Sequence, residues 1–198
     1  MVFDRTCTGR KTPVGLSHAW RLGALLYGGL RRLDAWLGAA DWPQALRWLA
    51  DTGSGPIDQI QYWGHGHFGQ VRLGDDRLDL ASFDPDHVWA SDLRRISARL
   101  HAHSLVWFRT CETFGSAKGH AFARAAADTF GCRVAGHTHR IGSVQSGLHC
   151  LAPGQTPRWS TGEGIVTHRD GRASALGSRV WYANTITCLH GTIPPDRG

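Results

Sequence analysis

An α/β fold, a mainly parallel sheet held between helical layers as a three-layer sandwich, is what the sequence predicts, and three observations carry it. Short apolar runs rich in β-branched and aromatic residues alternate with segments of helical period over residues 1–140. The run Leu105-Val106-Trp107-Phe108 is almost continuously apolar, as a strand covered on both faces requires. The intervals between runs are long enough for right-handed helical crossovers between parallel strands. The 198 residues read as one domain, an α/β core at 1–140 followed by a loop-rich part of the same domain at 141–198. In that last part Gly, Pro, Ser and Thr surround short apolar pieces such as Gly164-Ile165-Val166 and Val180-Trp181-Tyr182.

Each element has a local reason. Val2 and Phe3 start a short buried strand ending at Asp4, and a Gly/Thr/Lys loop follows. Ser17 is placed to cap a helix whose apolar positions Trp20, Leu22, Leu25 and Leu26 recur at helical spacing, and Gly28-Gly29 stops it. Leu33–Leu37 alternates like a strand, with a helix as the other option. Asp41 caps a short helix with Pro43 in its first turn. Ile57–Trp63 reads as a central strand closed by Gly64-His65-Gly66. Val71–Leu73 and Leu78–Leu80 flank a Gly-Asp-Asp turn as a hairpin. Asp84-Pro85 opens a helix reaching about His101, with Val88, Leu93, Ile96 and Leu100 on its buried side. After the Leu105–Phe108 strand, Ala117–Phe130 is a strong Ala-rich helix stopped by Gly131, and Cys132–Gly136 is the next strand.

Composition narrows the function classes. The net charge is +6, but the arginines are scattered rather than clustered, so a nucleic-acid footprint is not expected. No stretch of about 18 apolar residues exists to span a membrane. No signal peptide is read at the N-terminus, and the five cysteines contain no CxxC pair or disulfide framework. A reducing cytoplasm is the expected setting, with no cofactor and no metal; the oligomeric state is left open.

His65 and Cys111 draw attention because each directly follows an apolar strand. In an open parallel sheet functional groups gather beyond the carboxyl ends of the strands. If the two strands are neighbours, an imidazole and a thiol reach one edge, where the imidazole can stabilise a thiolate and protonate a leaving amine. Gly66 lacks a side chain, so its N–H, with that of Cys111, can approach a developing oxyanion. A helix starting near Cys111 is expected to lower the thiol pKa.

Two runs carry a family resemblance. QYWGHGHFGQVRLG resembles the strand–His–Gly–hairpin segment of the caspase-like (clan CD) cysteine peptidase superfamily, and SLVWFRTCETFGSAKGHAFARAAADTFGCRVAG resembles its strand–Cys–helix–strand segment. The helix after the Cys and the VFD opening are most similar to the CHAT and DUF4347 branches. The resemblance covers about residues 1–137. It implies a caspase-like fold, a His65/Cys111 dyad, Gly66 as oxyanion donor and a protein or peptide substrate. The chain departs from caspases proper in carrying Arg109-Thr110 before the Cys and Glu112 after it, and no activation-cleavage linker is evident. Not every member of these branches is proteolytic, so an inactive interaction module is the alternative.

Other residues have competing readings. His67, Arg109, Glu112, His137, His139 and Arg140 are candidates for the substrate cleft. Arg109 and Arg140 suit an acidic side chain, although each also reads as a structural arginine. Gly136-His137-Thr138-His139 is similar to the end motif of calcineurin-like metallophosphoesterases, giving a metal-dependent phosphoesterase as a further alternative. The carboxylate-bearing motifs of that family are missing here. Trp63 and Trp107 are expected in the core, Trp159 as a pocket wall, and Cys7, Cys132, Cys150 and Cys188 as small buried hydrophobes.

Overall fold

The computed structural model describes residues 1–9 and 15–193. In chain order the elements are β1 (Val2–Asp4), α1 (Leu16–Gly29), β2 (Leu37–Ala39), α2 (Trp42–Asp51), β3 (Ile57–Trp63), β4 (His65–His67), β5 (Gln70–Leu73), β6 (Asp76–Asp79), a 3-10 turn (Leu80–Phe83), α3 (Ala90–Ser97) and β7 (Leu100–Arg109). There follow α4 (Ser116–Phe130), β8 (Arg133–His137), β9 (Val144–Gln145), β10 (Leu148–Leu151), β11 (Ile165–Thr167), β12 (Ala173–Ala175) and β13 (Ile186–Thr187). Six strands form one sheet in the order β10-β8-β7-β3-β1-β2. All of its pairings are parallel except that of β10 with β8. The mixed α/β architecture expected from the sequence is present. No described helix is long and apolar enough to cross a membrane.

Side-chain alternation assigns the layers. Val106 and Phe108 of β7, with Ile60 and Tyr62 of β3, pack against Leu46 of α2, Leu93 and Ile96 of α3 and Phe122 and Ala126 of α4. Leu105 and Trp107 point the other way, onto Leu148, Cys150, Ile186 and Ile193 of the last third. Trp63 shares this second face with Ala24 and Tyr27 of α1. One layer is therefore three helices; the other is α1 together with the C-terminal segment.

Several expectations change. The α1 N-cap is Gly15, and Ser17 lies inside the helix with its hydroxyl donating to the Asp4 carbonyl. The Gly/Thr/Lys loop before it lies largely outside the described residues. The buried stripe of α1 is Ser17, Ala24 and Tyr27, whereas Leu22, Leu25 and Leu26 face solvent. The strand expected at Leu33–Leu37 is displaced to Leu37–Ala39. The helix expected from Asp84 begins only at Ala90, because the Asp84 carboxylate accepts from the Asp86 N–H and holds a turn instead; Val88 is exposed. Leu100 already belongs to β7. The last third, expected to be loops and short strands, supplies β10, a full member of the central sheet. Asp41 caps α2 through the Gln44 N–H, and Gly131 ends α4 in the left-handed conformation, both as expected.

Candidate functional site

The site is built by register. β3 and β7 are parallel neighbours with Trp63 opposite Arg109, so the chain two residues further along each strand carries His65 and Cys111 out at the same end of the sheet. His65 is not in a plain loop. It opens β4, which pairs antiparallel with β5, itself paired with β6. This small three-stranded sheet lies on the segment after β7. A Cβ placed on Gly66 would sit 2.3 Å from Thr113 Oγ1 and 2.6 Å from the Cys111 carbonyl oxygen, so only glycine permits this approach. The Gly69 N–H donates to the Thr113 carbonyl at 3.0 Å. β4 is thus fastened along Thr110–Thr113.

The Cys111 loop is braced from the other side by β8. Glu112 N–H donates to the His139 carbonyl at 2.9 Å, and Phe114 N–H donates to that of His137 at 3.0 Å. Glu112 takes a positive φ of 48°, an uncommon conformation for a residue with a side chain, held by these bonds. Its carboxylate accepts from His67 Nδ1, while its second oxygen is buried without a partner among the described residues. Glu112 and His67 therefore form a hydrogen-bonded pair beside Cys111.

The Cys111 sulfur is half-buried. It accepts from the Ile141 N–H at 3.4 Å and donates to the Ile141 carbonyl at 3.8 Å. Burial pushes the thiol above its ordinary value; the Ile141 bond opposes this, Glu112 adds to it, and Arg140 opposes it. The expected helix-dipole activation is not what decides this thiol, because α4 starts only at Ser116. The exposed His65 ring carries a contact absent from the sequence expectations. Its Nε2 lies 3.3 Å from the sulfur of Cys7, and the ring makes a T-shaped contact with Trp20 of α1 at 5.5 Å between centroids. Cys7 and Cys188 are half-buried rather than core residues, while Cys132 and Cys150 are buried with thiols pushed up to about 11.

Three cleft candidates turn inward. Arg109 is buried with its guanidinium between the Trp63 and Trp107 rings, 4.7 and 4.2 Å from their centroids. It donates to the carbonyls of His190, Cys188 and Thr187, to Tyr27 and to the side-chain oxygens of Gln145 and Gln61. It is a structural arginine that gathers the C-terminal segment, not an acid-binding group. His137 is fully buried; its Nδ1–H donates to the Ser146 carbonyl at 3.1 Å, and desolvation lowers its pKa to about 3. His139 is buried beside Thr138 and Tyr182 and is also held below its ordinary value, chiefly by desolvation. The exposed Arg140, in contrast, stays close enough to Cys111 to act on it. Among the described residues no group of three or more His, Cys, Asp and Glu is arranged to hold a metal ion, so the metallophosphoesterase alternative finds no ligand set.

A polar cluster stands at the end of β8. Glu163 accepts from His149 Nε2 at 2.8 Å and from the Thr138 hydroxyl at 2.9 Å. His149 stacks on Trp159, which stacks in turn on Phe114 and donates to its carbonyl. Trp159 does line a cavity, of ≈ 440 Å³, with His149, Glu163, Arg158 and Asn184. A larger cleft of ≈ 570 Å³ lies at the amino end of β3, among Ile57, Trp48, Asp34 and Arg99, and contains neither His65 nor Cys111.

Fold and site together define a mixed α/β protein whose polar and sulfur-bearing groups collect beyond the carboxyl ends of two adjacent parallel strands. The chain belongs to the family described as domain of unknown function DUF4347, whose model matches residues 39–149. That span runs from the end of β2 to β10 and includes His65 and Cys111. No curated protein and no solved structure matches the chain.

Proposed function

We propose that this chain is a caspase-like cysteine peptidase acting on a protein or peptide, with Cys111 as nucleophile and His65 as general acid and base. The observation that carries the reading is the Trp63–Arg109 register, which sends His65 and Cys111 off neighbouring strands at one end of the sheet with Gly66 packed on the Cys111 backbone. In the reaction the Cys111 proton passes to His65 and Sγ bonds to the scissile carbonyl carbon. The Gly66 N–H stabilises the oxyanion, His65 protonates the leaving amine, and water, deprotonated by His65, releases the acyl group. Cys111→Ala is expected to abolish both hydrolysis and labelling of this position by a thiol-directed electrophile, whereas Cys132→Ala retains both. Continued turnover by Cys111→Ala sinks the reading.

A second reading, a non-catalytic interaction module on the same fold, is favoured by one observation: the Cys111 thiol is pushed up by burial and engaged with Ile141. The discriminating measurement is the alkylation rate of Cys111 at pH 7 against a free model thiol. A rate above the model thiol supports the peptidase, and a rate below it the module.

A further inference from the structure

We infer that Cys7 is a second nucleophilic thiol of this site, activated by His65, and that the resting protein pairs the imidazole with Cys7. The pair is built rather than incidental. The Cys7 carbonyl accepts from the Ser17 N–H at 3.1 Å, which ties the Cys7 backbone to the first turn of α1. Gly15, the α1 N-cap, approaches so closely that a Cβ there would lie 2.0 Å from the Cys7 carbonyl oxygen. The same helix sets Trp20 against the His65 ring in a T-shaped contact, bounding the imidazole from a second side. Between these supports His65 Nε2 and Cys7 Sγ stand 3.3 Å apart, within hydrogen-bond reach for sulfur. Neither residue has another side-chain hydrogen bond among the described residues. Cys111, by comparison, directs its sulfur at the Ile141 backbone.

The chemistry that follows is that of a thiol beside an imidazole. The Cys7 proton moves to Nε2, and the thiolate attacks a soft electrophilic carbon. One S–C bond forms, the bond to the leaving group breaks with its electron pair going to that group, and His65 gives the proton to solvent. The consequence for Cys111 rests on the peptidase reading: while Nε2 holds Cys7, it is not free to serve the proposed nucleophile.

The test is alkylation by iodoacetamide at pH 7, with the rate at each cysteine read by peptide mass mapping in the full chain. Two variants remove the base. His65→Gln deletes the ring, and His65→Phe keeps a ring against Trp20 but no nitrogen. Both are expected to slow Cys7 by about tenfold or more, with Cys7 unaffected by Cys111→Ala. Cys7 labelling at the wild-type rate in His65→Phe overturns the inference, whatever Cys111→Ala does to hydrolysis. If Cys7 does depend on His65 while Cys111→Ala still hydrolyses peptide, the inference stands and the peptidase reading falls. Cys7→Ala is expected to raise the Cys111 rate, and this gain should vanish in the Cys7→Ala/His65→Phe double variant. An unchanged Cys111 rate in Cys7→Ala overturns the competition between the two thiols.

Discussion

Arg109 carries a charge into the interior, and all of its hydrogen-bond partners are neutral: three main-chain carbonyls, a phenol and two amide oxygens. Stacking between two indoles and a planar fork of donors replace the carboxylate. Arg109→Leu removes the cation from between the two indoles and leaves the buried Gln145 side-chain oxygen without its donor, so a loss of roughly 3 kcal/mol in urea unfolding is expected. Arg109→Lys should recover little of it, since an ammonium cannot reach groups spread around a fork. His137 sets a pH dependence at the same scale. Its folded pKa of about 3 lies below the ordinary 6.5, so the unfolded chain takes up a proton first as the pH falls. Its stabilising effect is complete above about 6.5 and is lost towards 3, at up to about 1.4 kcal/mol per pH unit. His120 and His139, also lowered by desolvation, act with the same sign. Glu163, although burial raises it, is held below 4.5 by His149 and Thr138, so its contribution is present above 4.5 and is lost as the pH falls below it. Urea titrations between pH 7 and pH 5 should show the slope, and His137→Gln should flatten it; an unchanged slope sinks the assignment.

Elements were legible in the sequence where their cause is local. Asp41 with Pro43, Gly131 after an Ala-rich helix, and the apolar β7 run each stabilise their own element, and each is found where its residues place it. Asp41→Ala should therefore cost about 1 kcal/mol, readable as a lower Tm of a few degrees without a change in fold. Elements failed where a rival local bond or a distant partner decides. The Asp84 turn outbids a helix, and α1 buries Ala24 and Tyr27 rather than its leucines, because Tyr27 reaches the carbonyls of Cys188 and His190. The site divides in the same way. His65 and Cys111 could be read from their strands, but the Cys7–His65 contact joins residues 58 apart and Arg109–Cys188 joins residues 79 apart. Gly66 tests how the small sheet seats on the site. Gly66→Ala places a methyl into Thr113 and the Cys111 carbonyl, so β4 must lift. The expectation is lost hydrolysis with a stability change of only about 1–3 kcal/mol; wild-type activity in this variant means that β4 does not hold the site as described.

For the whole molecule, the boundary between the α/β core and the last third is one of composition, not of packing. The segment after Arg140 supplies β10, which closes one side of the sheet against β8, and Ile186 and Ile193, which cover Leu105 and Trp107. It also supplies the carbonyls that Arg109 needs, and the Gly191 carbonyl that accepts from Gln59 and Gln61 on β3. A chain ending at Arg140 would expose one face of β7 to water, strip the buried guanidinium of every acceptor but Tyr27 and Gln61, and turn β8 into an open edge. Such a chain should therefore bind a dye that reports exposed apolar surface and show no cooperative urea transition, although it keeps His65, Cys111 and every helix. The full chain should unfold in one transition that carries both the Trp107 environment and β10 with it. A truncated chain that still unfolds cooperatively would mean that the helical face alone supports the sheet, and that the C-terminal segment is an addition to the fold rather than its second layer.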